Sequence, residues 1–272
     1  MNRPPRPTRR GVRVAAPALA AAALLATAAC SADDGDAQGG TARSAAPAAG
    51  EPTPPSPSVT VARTLTEAQV RTALISPGDL GPGWAGTQGA ATWRDALLKG
   101  RVEEADCRRL LDGLYTESLL GEPAGARAVL GFDNSGSGAQ LRHQAAAYDR
   151  AALDESLAWL AAVPRTCPEF TATDAAGNQY TVRVEAAAPP TVGEAGAGLH
   201  VSVTGGSDEV PAALTLDFAA VRVGDSALSL TNGGLTGADT DATLRATEAG
   251  TRRLQEVLDG GTPAARPSVE QG

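Results

Sequence analysis

Residues 199–230 read LHVSVTGGSDEVPAALTLDFAAVRVGDSALSL. Within them Leu199 to Val203 alternates apolar and polar residues, while Ala213 to Val223 and Ala227 to Leu230 alternate or run apolar and β-branched. Gly205-Gly206 and Gly224-Asp225 stand between these runs as hairpin signals. A period of two belongs to a strand that buries one face, so the stretch predicts a meander of antiparallel strands. Phe170 to Thr173 and Tyr180 to Ala186, divided by Ala176-Gly177-Asn178, extend it upstream.

Outward from the meander the period changes. Ala126 to Phe132 reads as one more strand, closed by the turn-rich Asp133-Asn134-Ser135-Gly136. Helical spacing sets in elsewhere. Leu65-Thr66-Glu67-Ala68-Gln69-Val70 carries a capping box between Thr66 and Gln69, with Leu65 stapled to Val70. Ser76-Pro77-Gly78-Asp79-Leu80-Gly81-Pro82-Gly83-Trp84 then breaks the helix. Glu103 to Tyr115 places Cys107, Leu110, Leu111 and Leu114 on one face. One or two helices are expected over Ala139 to Val163, ending at Pro164. A last helix is expected from Asp241 to Leu258, with Leu244, Leu254 and Leu258 inward. The fold class is therefore α+β: a largely antiparallel sheet of about five or six strands packed with helices.

The amino-terminal region has a different character. Arg3, Arg6, Arg9, Arg10 and Arg13 precede an uncharged apolar run from Val14 to Ala29, too short for a membrane span of about 20 residues. This is the build of a signal peptide, residues 1–29. Small residues lead to Cys30, in a sequence that resembles the bacterial lipobox, with Thr27 where Leu is usual. That resemblance implies lipidation of Cys30 with fatty acyl chains, palmitate among them, and anchoring on the outer face of the cell membrane. Thr8-Arg9-Arg10-Gly11-Val12 leaves twin-arginine export open beside the general route. Residues 30–60, rich in Ala, Gly, Pro and Ser, cannot bury enough surface to offset ordering and read as a disordered tether. The domain is expected over 61–259 and a disordered tail over 260–272.

Composition narrows the function classes. Net charge is -8 even with the basic leader included, so the mature chain is more acidic still and has no patch for nucleic acid. With Cys30 assigned to lipid, Cys107 and Cys167 remain, both in the exported region where disulfides persist. A bridge between them would clamp the helical half to the sheet half. A metal or reactive pair is the alternative, although no histidine cluster accompanies them. The lipobox, the tether, the Leu65–Val70 opening, Asp79-Leu80-Gly81-Pro82-Gly83-Trp84, and Ala105-Asp106-Cys107 with Arg165-Thr166-Cys167 together resemble actinobacterial lipoproteins that carry a PknH-like extracellular sensor domain. That resemblance, over about Leu65 to Leu258, implies an α+β domain with a cleft in a disulfide-braced frame. It carries over no ligand residue.

Catalytic signals are few. His143 reads as a solvated residue of a helical stretch, and His200, between Leu199 and Val201, as the outer face of a strand. No G-x-S-x-G elbow accompanies them. Gly81-Pro82-Gly83-Trp84-Ala85-Gly86 matches a dinucleotide fingerprint by letters but lacks the strand and helix around it. Asp33-Asp34-Gly35-Asp36 lacks the spacing of a calcium loop. No cofactor and no metal are expected. Trp159 reads as core. Trp84 and Trp93 flank a loop and read as plugs of a small core; as the lining of a binding groove they are the weak candidates for a ligand site. The chain is thus expected to be a noncatalytic, membrane-anchored lipoprotein domain that binds a small ligand or an envelope protein. A secreted cell-envelope hydrolase of unfamiliar type is the alternative.

Overall fold

A computed structural model describes residues 65–264 apart from 90, 189, 190, 208 and 209. The leader, Cys30, the tether and residues 265–272 of the tail lie outside the described residues. In chain order the elements are α1 (Glu67–Thr72), α2 (Pro77–Leu80), β1 (Trp84–Gly86), α3 (Thr92–Leu97), α4 (Ala105–Thr116), β2 (Arg127–Asn134), β3 (Gln140–Ala147), α5 (Arg150–Thr166), β4 (Glu169–Thr173), β5 (Gln179–Ala186), β6 (Ala195–Ser207), β7 (Val210–Val223), β8 (Ser226–Gly234) and α6 (Thr240–Leu258).

The eight strands among the described residues form one sheet in the order β1-β2-β3-β8-β7-β6-β5-β4, every neighbouring pair antiparallel. Strands adjacent in sequence are adjacent in space except at one step. From β3 the chain crosses through α5 to the far edge, then meanders back until β8 pairs with β3, Leu141 opposite Asn232 and Ala145 opposite Leu228. The expected meander over β4 to β8 is present and α+β is the fold, with eight strands where five or six were expected.

The period of two sorts side chains onto two covered faces. Leu199, Val201 and Val203 of β6 face the same side as Leu214, Leu216 and Phe218 of β7 and join α4 and α5 in one core. The other face carries Phe132, Leu141, Ala219 and Leu230 under α2 and α6, and Ala128, Ala145 and Val223 beside α1. Helix α6 approaches closely because its buried stripe is small: Ala242, Ala246, Ala249 and Gly250. Its buried Thr247 and Thr251 satisfy their hydroxyls on the carbonyls four residues back, at 2.7 and 2.8 Å.

Several expectations need correction. Residues 140–147 are strand β3, and α5 starts only at Arg150, with Asp149 capping Ala152 N. The segment Gln140-Leu141-Arg142-His143-Gln144-Ala145-Ala146-Ala147 has good helix formers, but pairing on both edges with β2 and β8 overrides propensity. Because both faces are covered, seven of its residues are buried except Arg142, and no alternation shows. Helix α5 also runs past Pro164 to Thr166. Gly205-Gly206 lies inside β6, not in a turn; a Cβ on Gly205 would meet Tyr180 Cβ at 2.4 Å and its Cα at 2.8 Å, so the glycine lets the backbone of β5 come close. Leu244 is not inward but 37% exposed. Trp159 is only half-buried, its ring under the Arg109 guanidinium and its Nε1 donating to Asp106 at 3.2 Å.

The edges of the sheet are short or covered. β1 has three residues. At the other edge Arg101 exchanges two backbone hydrogen bonds with Thr173 of β4, at 2.8 and 3.0 Å.

His143 is the sharpest departure. It is fully buried on the α6 side of β3, neither ring nitrogen has a hydrogen-bond partner, and a Cβ on Gly250 would lie 2.6 Å from its Nε2. Burial foremost, with Arg253 adding repulsion and Asp79 opposing, lowers its pKa from 6.5 to about 4. The folded value lies below the unfolded one, so acid favours unfolding. The contribution of neutral His143 is complete above pH 6.5 and lost as pH falls to about 4, on the order of 3 kcal/mol in all. Urea unfolding of the chain at pH 7, 5.5 and 4 is expected to show this decline, and His143→Leu to flatten it.

Candidate functional site

The pair Cys107 and Cys167 forms a disulfide, with Cα atoms 5.6 Å apart. It ties α4 to the C-cap of α5 immediately before β4, where the helices hand over to the sheet. A loop of 60 residues closed in this way is worth about 4 kcal/mol in the chain-entropy model. The bridge fixes α4 over the sheet, and the end of α4 shapes the candidate site.

Helix α4 stops at Glu117, which takes the left-handed conformation (φ 61), the one non-glycine residue to do so among the described residues. Gly113 permits the reversal: Ser118 N bonds its carbonyl at 3.0 Å, and a Cβ there would meet Leu119 Cδ2 at 2.5 Å. A left-handed glutamate costs on the order of 1 kcal/mol or more. What holds it is its side chain. Arg142 of β3 grips the carboxylate with Nε on Oε1 at 2.8 Å and Nη2 on Oε2 at 3.3 Å. Arg94 of α3 reaches the same Oε1 at 3.2 Å while donating to the carbonyls of Leu114 and Tyr115 at the end of α4. A cation there also meets the negative end of the helix. Burial, outweighing Glu117, lowers the pKa of Arg94, and Arg142 adds to the fall; as an arginine it stays charged.

Glu117 and Arg142 edge a small pocket between α4 and the β2-β3-β8 part of the sheet, with Arg94 behind them. Its floor is Val129, Gln144, Ser229 and Thr231, with Phe218 and Leu119 as apolar walls. Gln144 is fixed from both ends, accepting from Arg127 Nε at 2.8 Å and donating to Tyr148 Oη at 2.8 Å. Two guanidinium groups against one carboxylate leave one positive charge, and Arg142 is the more exposed of the two, at 29% against 10%. The arrangement suits a polar or anionic small molecule resting on an apolar wall.

Neither expected groove residue lies here. Trp84 and Trp93 are both buried, the first with Leu80 and Phe132 under α6, the second with Leu97 and Leu111 in the core on the opposite face. They plug separate cores and do not meet. His200 does lie on the outer side of β6, 39% exposed, but it is not idle: its Nδ1 is 2.7 Å from Oδ1 of Asp217 on β7. Among the described residues no group of three or more His, Cys, Asp and Glu side chains is placed to hold a metal, and no helix is long and apolar enough to cross a membrane.

Fold and pocket define a class: an eight-stranded antiparallel α+β domain with helices on both faces, one disulfide and a small charged cleft. No protein-family profile and no curated protein sequence matches the chain. Among solved structures it is similar to the extracellular domain of PknH from Mycobacterium tuberculosis, at 13% identity and a TM-score of 0.44, over 73% of this chain and all of that one.

The two arginines differ in burial, and their variants should differ accordingly. Glu117→Gln leaves Arg94 buried without its counter-ion and is expected to lower stability by roughly 2–4 kcal/mol. Arg142→Gln, nearer the surface, should cost about 1 kcal/mol or less. Urea midpoints of the two variants check the order.

Proposed function

We propose that the chain is a noncatalytic extracytoplasmic domain, held to the outer face of the cell membrane by lipid on Cys30, that binds a small polar or anionic ligand in the cleft of Arg94, Glu117 and Arg142. One observation carries the binding half. Glu117 sits in a strained backbone conformation, and that strain is maintained where two buried or half-buried arginines converge beside an otherwise apolar wall. Strain held against the backbone's own preference is the mark of a positioned group. The anchoring half is supported by the basic leader, the short apolar run and the small residues before Cys30.

A thermal-shift screen of small anions and their neutral analogues on the purified chain tests the binding half, since a ligand of the native state raises the midpoint. The expected result is a hit among anions that Arg142→Gln weakens by about tenfold or more. Hits indifferent to Arg142→Gln and Thr231→Val would remove the cleft from the reading.

The anchor has its own test. Cys30→Ser is expected to move the protein from the membrane fraction to the medium and to abolish labelling with radioactive palmitate. Wild-type fractionation and labelling of that variant would overturn the lipoprotein assignment.

A further inference from the structure

A second pocket, of about 110 Å³, opens on the opposite side of the sheet from the Glu117 cleft, beside the start of α6. Its walls are small or apolar, Ala187, Gly198, Ala219 and Leu244 among them. Leu244, 37% exposed, is the residue that helical periodicity would have turned inward. The polar feature of the pocket is the His200–Asp217 pair.

That pair is a built arrangement. His200, Asp217 and Asn232 stand opposite one another on β6, β7 and β8. The Asp217 side chain is 5% exposed. Its Oδ1 meets His200 Nδ1, and its Oδ2 accepts from Thr240 Oγ1 at 2.9 Å and Thr243 Oγ1 at 3.2 Å. Thr243 in turn accepts from Asn232 Nδ2 at 3.0 Å, and Asn232 also bonds the carbonyl of Asp239, the N-cap of α6. Both oxygens of Asp217 therefore act as acceptors, so the hydrogen between it and the imidazole belongs to Nδ1. In the neutral ring that tautomer leaves a lone pair on Nε2. The two hydroxyls in the pocket, Thr240 and Thr243, are both committed to Asp217 and offer no nucleophile.

We infer that the His200–Asp217 pocket is a binding site for a compact, neutral, apolar molecule bearing one hydroxyl group, whose O–H donates to His200 Nε2. The charges around the imidazole select the class. Asp217 lies behind it and Glu185 of β5 stands opposite it in register. This negative surround strengthens Nε2 as an acceptor and turns carboxylates away, while the walls of alanine, glycine and leucine favour an apolar body over a hydrated cation. The preference is opposite to that of the Glu117 cleft, which carries excess positive charge. The two sites would thus take different ligands.

Phenol, anisole and benzoate form a probe set of nearly equal size: hydroxyl donor, no donor, and anion. The chain has two histidines, so the full chain labelled with ¹⁵N-histidine reports each ring separately by NMR, with buried His143 as the internal reference. Phenol is expected to shift the His200 ring resonances saturably and leave those of His143 in place. Anisole and benzoate should each bind about tenfold more weakly or worse, the worth of one hydrogen bond in an apolar setting. His200→Phe, at a half-exposed position, should abolish the preference for phenol over anisole. Absence of a saturable His200 shift with phenol, equal binding of anisole, or tighter binding of benzoate would each overturn the proposal. Should His200→Phe fail to fold, the three-probe comparison on the unaltered chain decides alone.

Discussion

The pairing of β3 with β8 is the contact on which the rest of this molecule depends. It joins a three-stranded amino-terminal part to a five-stranded meander and makes one sheet of two. Its partners are separated by 79 to 93 positions in sequence, so loop closure must be offset before the ladder stabilises anything. Everything around it is shaped to let it form. Ala145 and Ala146 of β3 face Leu228 and Ala227, and these small side chains let α1 and α6 on one face and the Leu-rich core on the other approach a doubly covered strand. The fully buried His143 is tolerated on that strand because Gly250 leaves room for its ring.

One of the two pockets is a product of this closure. The Glu117 cleft needs Arg142 from β3, Thr231 from β8 and Phe218 from β7 side by side, and these lie opposite one another only in the register that the β3–β8 ladder sets. The disulfide fixes the roof, since it holds α4, and therefore Glu117, over that floor. On the other face the β7–β8 ladder puts Asn232 beside Asp217, and the pair anchors the first turn of α6 through Thr243 and the Asp239 carbonyl. Hydrogen bonds that place α6 also orient the imidazole of His200. Packing and recognition are in this sense one network.

How much of this could be read in the sequence follows from periodicity. Strands β4 to β8 were legible because residues such as Tyr180, Val182 and Val184 alternate with polar neighbours, and the turns at Gly177 and Gly224 are where the hairpins fall. The capping box of Thr66 and Gln69 is present as read, with its two bonds at 2.9 and 3.3 Å. Strand β3 was not legible, because a strand covered on both faces shows no alternation and its Gln, Leu and Ala content favours helix. The three-residue β1 is below any sequence signal. Neither site was legible either. Arg94, Glu117 and Arg142 come from three elements with no shared motif, and His200 meets Asp217 only through strand register. The tryptophans drew attention by size alone, and burial explains them.

The short and bridged edges of the sheet have a consequence for what happens when two copies of the domain collide. A sheet whose last strand offers a free row of N–H and C=O groups invites a second copy to add itself as the next strand. Here one border is three residues long, and the other has its end occupied by the backbone of Arg101. Abbreviated borders leave little open edge for such an addition, and the net negative charge of the chain adds repulsion between copies that approach one another.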